Sequence, residues 1–334
     1  MPQHVAWPEL ILAAVAALLA WSLTGIYLRA MTGARRLVPP SQRGMHTVPV
    51  PAGAGVAIVL APVVLWPLWA DGALTPVHIM LLACLIALTC LSWLDDRHAL
   101  SAPLRLAVHA LAVALCLYLL PADARLAPVL PLQLERVLIG VAWLWFINLY
   151  NFMDGIDGLA GSEAVALAVG YLALLSYTGL DSPYWRLALI VAAAAAGYLV
   201  WNWHPARVFM GDAGSVPLGF LLGWLMLDLA FRGHWPAALI LPAYFAADAT
   251  LTLFARMLRG EKPWQPHRQH YYQRAALGGT PHDGVVWRVI IADVLLIGLA
   301  LFSVKEPALA LLAAVAVIAI LLMHLQVLAN RRHG

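Results

Sequence analysis

The chain has 334 residues, of which 63% are hydrophobic and only 11% are charged. Water-soluble globular proteins carry about 45–50% apolar and about 25% charged residues, so this composition excludes a soluble fold and indicates an integral membrane protein. The formal net charge of +3 does not indicate nucleic-acid binding, because excess arginine in a membrane protein commonly reflects topology. The three cysteines lie in apolar stretches without metal-ligand spacing, so we interpret them as packing residues.

About eleven apolar stretches are long enough to cross a hydrocarbon core of about 30 Å. They run at approximately 5–28, 52–70, 77–94, 104–121, 136–150, 159–180, 186–203, 213–231, 236–255, 285–303 and 307–328. An outside N-terminus places most Lys and Arg residues on the inside, as the positive-inside rule requires. We therefore predict one all-helical transmembrane domain over residues 1–334, a polytopic bundle with N-out and C-in orientation and active-site loops on the cytoplasmic side.

Carboxylates stand at the inside ends of two predicted spans. Asp95 and Asp96 follow the third span. Carboxylates this close repel one another unless a cation or hydrogen-bond donors compensate, so we expect them to bind a divalent metal ion. A solvated pair at a helix end is the alternative. Asp212 precedes the eighth span, where a helix N-terminus would favour a phosphate and the carboxylate would hold an accompanying metal. A plain N-cap is the other interpretation of Asp212.

Polar residues recur at every third position after the fifth span, as Asn148, Asn151, Asp154 and Asp157. If the span continues inward as a helix, the four groups stack near one helical face. Two glycines in this segment equally allow the helix end to unwind around a polar substrate. A chance polar helix terminus is the third interpretation.

The loop after the ninth span concentrates cationic and aromatic side chains, including His267, Arg268 and His270. The His-x-x-His spacing can indicate zinc, but no HExxH motif and no third ligand is evident, so we do not predict zinc in this loop. Cationic groups that face acidic motifs favour a clamp for a diphosphate. A basic loop held at anionic lipid headgroups is the alternative.

The acidic motifs and the basic loop all fall at inside ends of predicted helices. Together they predict a metal-dependent site for a phosphate-bearing substrate at the membrane surface. A polytopic transporter is the main alternative, because buried acids suit ion coupling, although transport sites usually lie near the membrane midplane within broken helices. A catalytically silent membrane scaffold is the second alternative.

Taken together, the motifs resemble, in their order and on their shared face, those of the polyprenyl-phosphate N-acetylhexosamine-1-phosphate transferases (glycosyltransferase family 4). The resemblance covers nearly the whole chain and rests on Pro40 to His46 with Pro49, Pro51, Gly53 and Gly55, on Asp95, Asp96 and Arg105, on Asn148 to Ala160, on Phe209 to Ser215, and on His267 to Gln273. It implies transfer of a sugar 1-phosphate from a UDP-N-acetylhexosamine to undecaprenyl phosphate, with release of UMP and formation of a lipid-linked diphosphate sugar. It also implies a multi-pass protein of the bacterial inner membrane, surrounded by membrane lipids, with no nucleic-acid partner and with a homodimer as an option.

The resemblance assigns roles to individual residues. Asp212 looks like the family's Mg²⁺-binding aspartate, with Mn²⁺ as a substitute ion, and Phe209 offers a stacking face for uracil. The residues expected to be catalytic are Asp95, Asp96, Asp154, Asp157, His267 and His270. The residues expected to bind substrate are Arg43, His46, Arg105, Asn148, Asn151, Asn202, Phe209 and Arg268. The residues expected to bind metal are Asp212, Asp95 and Asp96.

The chain departs from many family members in the basic loop, where Tyr271 and Tyr272 follow His270. This variant resembles the O-antigen-initiating branch and lacks the His-His-His pattern typical of the muramoyl-pentapeptide branch. The resemblance therefore favours lipopolysaccharide O-antigen or a related cell-wall polysaccharide over peptidoglycan. The donor stays open among GlcNAc, GalNAc, QuiNAc and FucNAc types.

The chemistry of the expected transfer follows from the charge of the acceptor. A phosphate monoester with a second pKa near 6 is already largely dianionic at pH 7, so repulsion between phosphates is the main obstacle and cationic groups must offset it. We expect direct in-line attack, with Asp95 orienting the acceptor or accepting its last proton. A covalent aspartyl-phosphate route is the competing hypothesis.

Overall fold

The computed structural model describes residues 7–33, 50–70, 72–262, 265 and 267–333. Within these residues the chain is helical, and the only extended pairing is an isolated parallel bridge between Ala52 and Phe209. The helices are α1 (Trp7–Gly33), α2 (Val56–Trp69), α3 (Pro76–His98), α4 (Ala102–Tyr118), α5 (Leu132–Phe152), α6 (Leu159–Thr178), α7 (Trp185–Asn202), α8 (Asp212–Leu229), α9 (Trp235–Ile240), α10 (Ala243–Leu258), α11 (Tyr271–Leu277), α12 (His282–Phe302) and α13 (Pro307–Ala329).

Among the described residues, eight helical segments are long and apolar enough to cross a membrane. They are Trp7–Thr32, Pro76–His98, Leu132–Phe152, Leu159–Thr178, Trp185–Asn202, Asp212–Ile240, His282–Phe302 and Pro307–Ala329. The helices α2 and α4 are apolar but shorter. The predicted class, an all-helical polytopic membrane bundle, is confirmed.

The ninth predicted span, 236–255, is not a single helix. A π-helical turn, Ala230–His234, follows α8 and contains Gly233 at φ +90°. The next apolar segment is divided between α9 and α10 by the pair Leu241 and Pro242. Proline lacks a backbone N–H and its ring clashes with the preceding helical turn, so this predicted stretch consists of two helices and not of one.

The central helix of the bundle is α8, in which nearly every side chain is buried. It packs against α3, α5 and α6. A Cβ at Gly219 of α8 would lie 3.1 Å from the backbone of Ile147 on α5, so glycine permits these two helices to approach closely. This approach brings the end of α5 next to the start of α8, where the predicted polar motifs lie.

The opposite end of the bundle contains a buried polar network centred on Asp228. Its Oδ2 accepts hydrogen bonds from Tyr171 Oη at 2.6 Å, Ser182 Oγ at 2.9 Å and Arg232 Nε at 2.8 Å. Arg232 also donates to the backbone oxygen of Asp181. Because these contacts join α8 to the connection between α6 and α7, we assign Asp228 a structural role.

Candidate active site

Polar residues from four helices meet at one end of the bundle. Asp95 and Asp96 lie in the last turn of α3, and Arg105 lies in the first turn of α4. Asn151 is near the end of α5, and Asp212 is the first residue of α8. The hydrogen bonds that join them, given below, confirm the predicted gathering of these motifs on one face.

Arg105 joins two of the carboxylates. Its Nη1 donates to Asp95 Oδ2 at 2.7 Å and to Asp212 Oδ2 at 3.3 Å. The backbone N–H of Leu100 donates to the other Asp95 oxygen at 2.6 Å. Both Asp95 oxygens are therefore occupied, and its side chain is only 8% exposed. This geometry favours a role for Asp95 in positioning Arg105 over the expected role as a proton acceptor.

Asp96 caps the N-terminus of α8. Its Oδ1 accepts the N–H of Asp212 at 3.2 Å, and its Oδ2 accepts the N–H of Ala213 at 3.3 Å. A carboxylate is stabilised there by the unpaired N–H groups and by the helix dipole. The prediction that these N–H groups bind a phosphate is therefore wrong, because a carboxylate of the protein already occupies them.

Asn151 fixes the position of Asp212. Its Nδ2 donates to Asp212 Oδ1 at 2.9 Å and to Ser215 Oγ at 2.8 Å. The helix α5 ends one residue later, at Phe152, so Asp154 and Asp157 lie in the connection to α6. The continuous helical face predicted for the Asn/Asp series is therefore wrong, and the segment after Phe152 is not helical.

The carboxylate of Asp154 makes no hydrogen bond to the described residues. Burial raises the pKa of this carboxyl group to about 7, and the negative charges of Asp212, Asp96 and Asp157 act in the same direction. The negative charge of these carboxylates therefore exceeds the single positive charge of Arg105. Carboxylate oxygens are the ligands that Mg²⁺ prefers, so this donor set fits a divalent cation held by Asp212 with Asp154 and Asp96 nearby.

A cavity of about 500 Å³ opens beside Arg105. Its polar end is formed by Asp95, Arg105, Asn148, Asn151 and Asp212, and its walls are lined by Leu91, Ser92, Ala102, Pro103, Leu106, His109, Phe152 and Val216. A charged end joined to an apolar channel suits an amphiphile that carries an anionic head.

His109 lines this cavity and was not singled out from the sequence. It is buried, and its Nδ1 has no hydrogen-bond partner among the described residues. Its position one helical turn after Arg105 on α4 places both side chains on the same face. That spacing, in an otherwise apolar helix, is the signal that could have identified it.

Three other predicted residues lie around the connection between α7 and α8. Asn202 is buried, accepts the N–H of Gly158 at 3.0 Å and donates to the backbone oxygen of Val208 at 2.9 Å. It therefore holds two connecting segments together. Asp157 accepts hydrogen bonds from His204 Nδ1 and Ala206 N. Phe209 is half-buried, and its backbone pairs with the residues that precede α2.

The basic loop is organised by Asp248 of α10. Asp248 accepts the N–H groups of Tyr271 and Tyr272 at 3.0 and 3.2 Å, at the start of α11. His270 is 2% exposed, and its Nδ1 lies 3.2 Å from Asp248 Oδ1. The expectation that His270 faces the acidic motifs is therefore wrong, because a buried carboxylate of α10 holds its ring.

The remaining predicted residues lie in the basic loop or outside the described residues. His267 and Arg268 are half-buried and precede His270 in the same loop, and their roles stay predictions. Two of the residues expected to bind substrate, Arg43 and His46, lie outside the described residues.

Gly155 lets α11 dock against the unwound segment. Tyr272 Oη donates to the backbone oxygen of Phe152 at 3.1 Å, and a Cβ at Gly155 would overlap that hydroxyl and approach Gln273 Nε2. We expect Gly155→Ala to lower stability by about 1–3 kcal/mol, measured by thermal unfolding in detergent. Gly298→Ala is the control, since nothing lies near that position. Equal unfolding temperatures for the two variants would contradict this docking contact.

Comparison of the sequence with known proteins finds a family model and several relatives that are similar to this chain. Residues 78–230 match the sequence model of glycosyl transferase family 4. The chain is 27% identical over 281 residues, covering 80% of this chain and 75% of the relative, to the probable undecaprenyl-phosphate N-acetylglucosaminyl 1-phosphate transferase of Bacillus subtilis. The matched region contains the cluster formed by Asp95, Asp96, Arg105, Asn151 and Asp212.

Two further relatives cover smaller shares. A phospho-N-acetylmuramoyl-pentapeptide-transferase of Thermosynechococcus vestitus is 32% identical over 233 residues, covering 63% of this chain and 56% of the relative. A decaprenyl-phosphate N-acetylglucosaminephosphotransferase of Mycolicibacterium smegmatis is 30% identical over 188 residues, covering 48% and 46%. The chain thus spans about half the length of these two relatives. These matches show that the chain is similar to glycosyl transferase family 4 over residues 78–230 and to transferases that act on polyprenyl phosphates.

Proposed function

We propose that the protein transfers an N-acetylhexosamine 1-phosphate from a UDP-sugar to undecaprenyl phosphate, and that the product starts O-antigen or a related envelope polysaccharide. The names of the relatives support a polyprenyl-phosphate acceptor and transfer of a phosphosugar. The observation that carries the proposal is the cavity whose apolar walls end at Arg105 and Asp212. A polyprenyl phosphate has the matching shape, with an anionic head on a hydrocarbon chain.

Arg105 is the residue best placed to receive the acceptor phosphate. It lies at the polar end of the cavity, and its guanidinium is held by Asp95 and Asp212. A guanidinium fixed in this way presents its remaining N–H groups without further ordering, and such groups match phosphate oxygens. Asn148 and Asn151 line the same end and add amide groups for orientation.

The transfer is an in-line displacement. An oxygen of the acceptor phosphate forms a bond to the β-phosphorus of the donor, the bond from that phosphorus to the bridging oxygen breaks, and UMP leaves with the electron pair. The acceptor is largely dianionic at pH 7 and needs little help from a base. Mg²⁺ bound at Asp212 would neutralise the charge on the phosphate oxygens. Asn151 and Arg105 hold Asp212 in place for this role.

The topology of the bundle gives the proposal its orientation. If α2, α4 and α10 cross the membrane in addition to the eight long segments, the described helices make eleven crossings, and the cluster lies at the end with most Lys and Arg residues. We propose N-out and C-in insertion in a bacterial inner membrane, with the active site on the cytoplasmic face.

The test is release of UMP by the purified, detergent-solubilised protein given undecaprenyl phosphate and Mg²⁺. UDP-GlcNAc, UDP-GalNAc and 6-deoxy UDP-sugars are compared in parallel. We expect release with one donor, and loss of release on chelation and when the acceptor is omitted. Altered ion or solute flux in liposomes, without UMP release from any donor, would favour the transporter hypothesis instead.

The raised pKa of Asp154 predicts a stabilising variant. A carboxyl group with a pKa near 7 in the folded protein and an ordinary value in the unfolded chain destabilises the fold most above pH 7, and less as the pH falls toward 4. In metal-free protein at pH 8, Asp154→Asn should therefore raise the unfolding temperature by at least about 2 °C. The difference from the wild type should narrow by pH 5.5. A difference independent of pH would contradict the raised pKa.

A further inference from the structure

A second group of potential metal ligands lies beside the carboxylate site and includes Asp157. Asp157, His204 and His282 come from three separate places, the connection after α5, the connection after α7 and the first residue of α12. One ligand atom from each lies within 4.8 Å of the others. We propose that these three side chains bind a transition-metal divalent cation, with Zn²⁺ as the best fit, separate from the ion proposed at Asp212.

The distances suit a four-coordinate ion. Asp157 Oδ2 lies 3.3 Å from His282 Nδ1 and 2.6 Å from His204 Nδ1. Tetrahedral Zn²⁺ with bonds of about 2.0–2.2 Å separates its ligand atoms by about 3.3–3.5 Å. The first separation already matches this value, and the second needs to open by less than about 1 Å. The side chain of His204, which is 35% exposed, can supply that movement.

The chemistry of the ligand atoms also favours a metal. The Nδ1 of His282 is unprotonated in this arrangement, because it accepts the backbone N–H of Asp157 in a long contact of 3.5 Å. A metal ion would replace that contact on the same lone pair. The backbone N–H of Ala206 donates to Asp157 Oδ2 at 3.1 Å, and such a contact orients a ligating carboxylate. Two imidazoles and one carboxylate form a ligand set that suits Zn²⁺ better than Mg²⁺.

The three side chains of this cluster differ in their exposure to solvent. Asp157 is 2% exposed and His282 is 12% exposed, so only the His204 side opens toward solvent. Three protein ligands leave a fourth position for water on that side. The ion would link three chain segments near the first residue of α6. It would stabilise the folded protein, because it would bind the folded chain in preference to the unfolded chain.

The experiment measures binding directly, so its result does not depend on transferase activity. Tag-free, chelator-treated protein in detergent is titrated with Co²⁺, which gives intense visible absorption when four-coordinate, and then with Zn²⁺ as competitor. We expect one four-coordinate Co²⁺ per chain, displaced by Zn²⁺, and a rise in unfolding temperature with Zn²⁺. His204→Ala and His282→Ala should each weaken binding at least about tenfold.

Matched variants separate this site from others. His234→Ala changes a histidine at the opposite end of α8 and should give the same four-coordinate Co²⁺ spectrum as the wild type. Asp212→Asn should also keep this spectrum, because Asp212 does not belong to the histidine cluster. His282→Gln keeps side-chain size and serves as a second test if His282→Ala fails to fold. The proposal is overturned if the wild type gives no four-coordinate spectrum, or if folded His204 and His282 variants bind as tightly as His234→Ala.

Discussion

Asp212→Asn is expected to lower the rate of UMP release by about a hundredfold or more, a loss typical of removing one preorganised charge or donor from a transition state. Asp212 receives Arg105 on one oxygen and Asn151 on the other, so the amide keeps the size of the side chain but loses the negative charge that a cation needs. The variant should also lose Mg²⁺ binding, measured by calorimetry on the detergent-solubilised protein.

Asp123→Asn makes the same charge change at an exposed position outside the helices. We expect this control to keep both Mg²⁺ binding and the rate of the wild type. If Asp212→Asn retained more than about a tenth of the wild-type rate, the role of Asp212 at the centre of the site would be wrong.

Arg105→Lys is expected to lower kcat/KM for the lipid acceptor by about tenfold, which corresponds to about 1.4 kcal/mol. The ammonium group keeps the positive charge but lacks the planar fork that lets one side chain hold Asp95 and Asp212 and still face a phosphate. The loss should fall mainly on KM for undecaprenyl phosphate, with a smaller change in KM for the UDP-sugar.

Arg97→Lys is the matched control. Arg97 is exposed, and its guanidinium lies over the ring of Trp93. Its substitution should leave both KM values near those of the wild type. If Arg105→Lys changed only the KM for the nucleotide sugar, the cavity beside Arg105 would be assigned to the wrong substrate.

The polar residues of the site could be predicted because their pattern is unusual in so apolar a chain. Asp95, Asp96, Asn151 and Asp212 stand at helix ends, where charged groups near a bilayer need partners, and the structure brings them into hydrogen-bonding distance. The separate role of each of these residues could not be predicted. That Asp96 caps α8 depends on how α3 and α8 pack, which no local pattern specifies.

The features that the sequence did not reveal depend on long-range contacts. Asp248 and His270 are more than twenty positions apart, and only the fold of α10 onto α11 pairs them. The helix α11 has seven residues, too few for a hydrophobic period to be visible. The break at Pro242 is different, because a proline inside an apolar stretch is visible in the local sequence. A prediction based only on the length of the apolar stretch did not use this signal.

In the proposed reaction a sugar phosphate, and not a sugar alone, moves to the lipid. The most direct test uses a UDP-sugar labelled with ³²P at the β-phosphate, the purified protein, Mg²⁺ and undecaprenyl phosphate. We expect the label to move into the lipid fraction while unlabelled UMP is released. Label that stays in released UDP while sugar enters the lipid would contradict it, because the bond broken would then be the glycosidic bond and not the diphosphate bond.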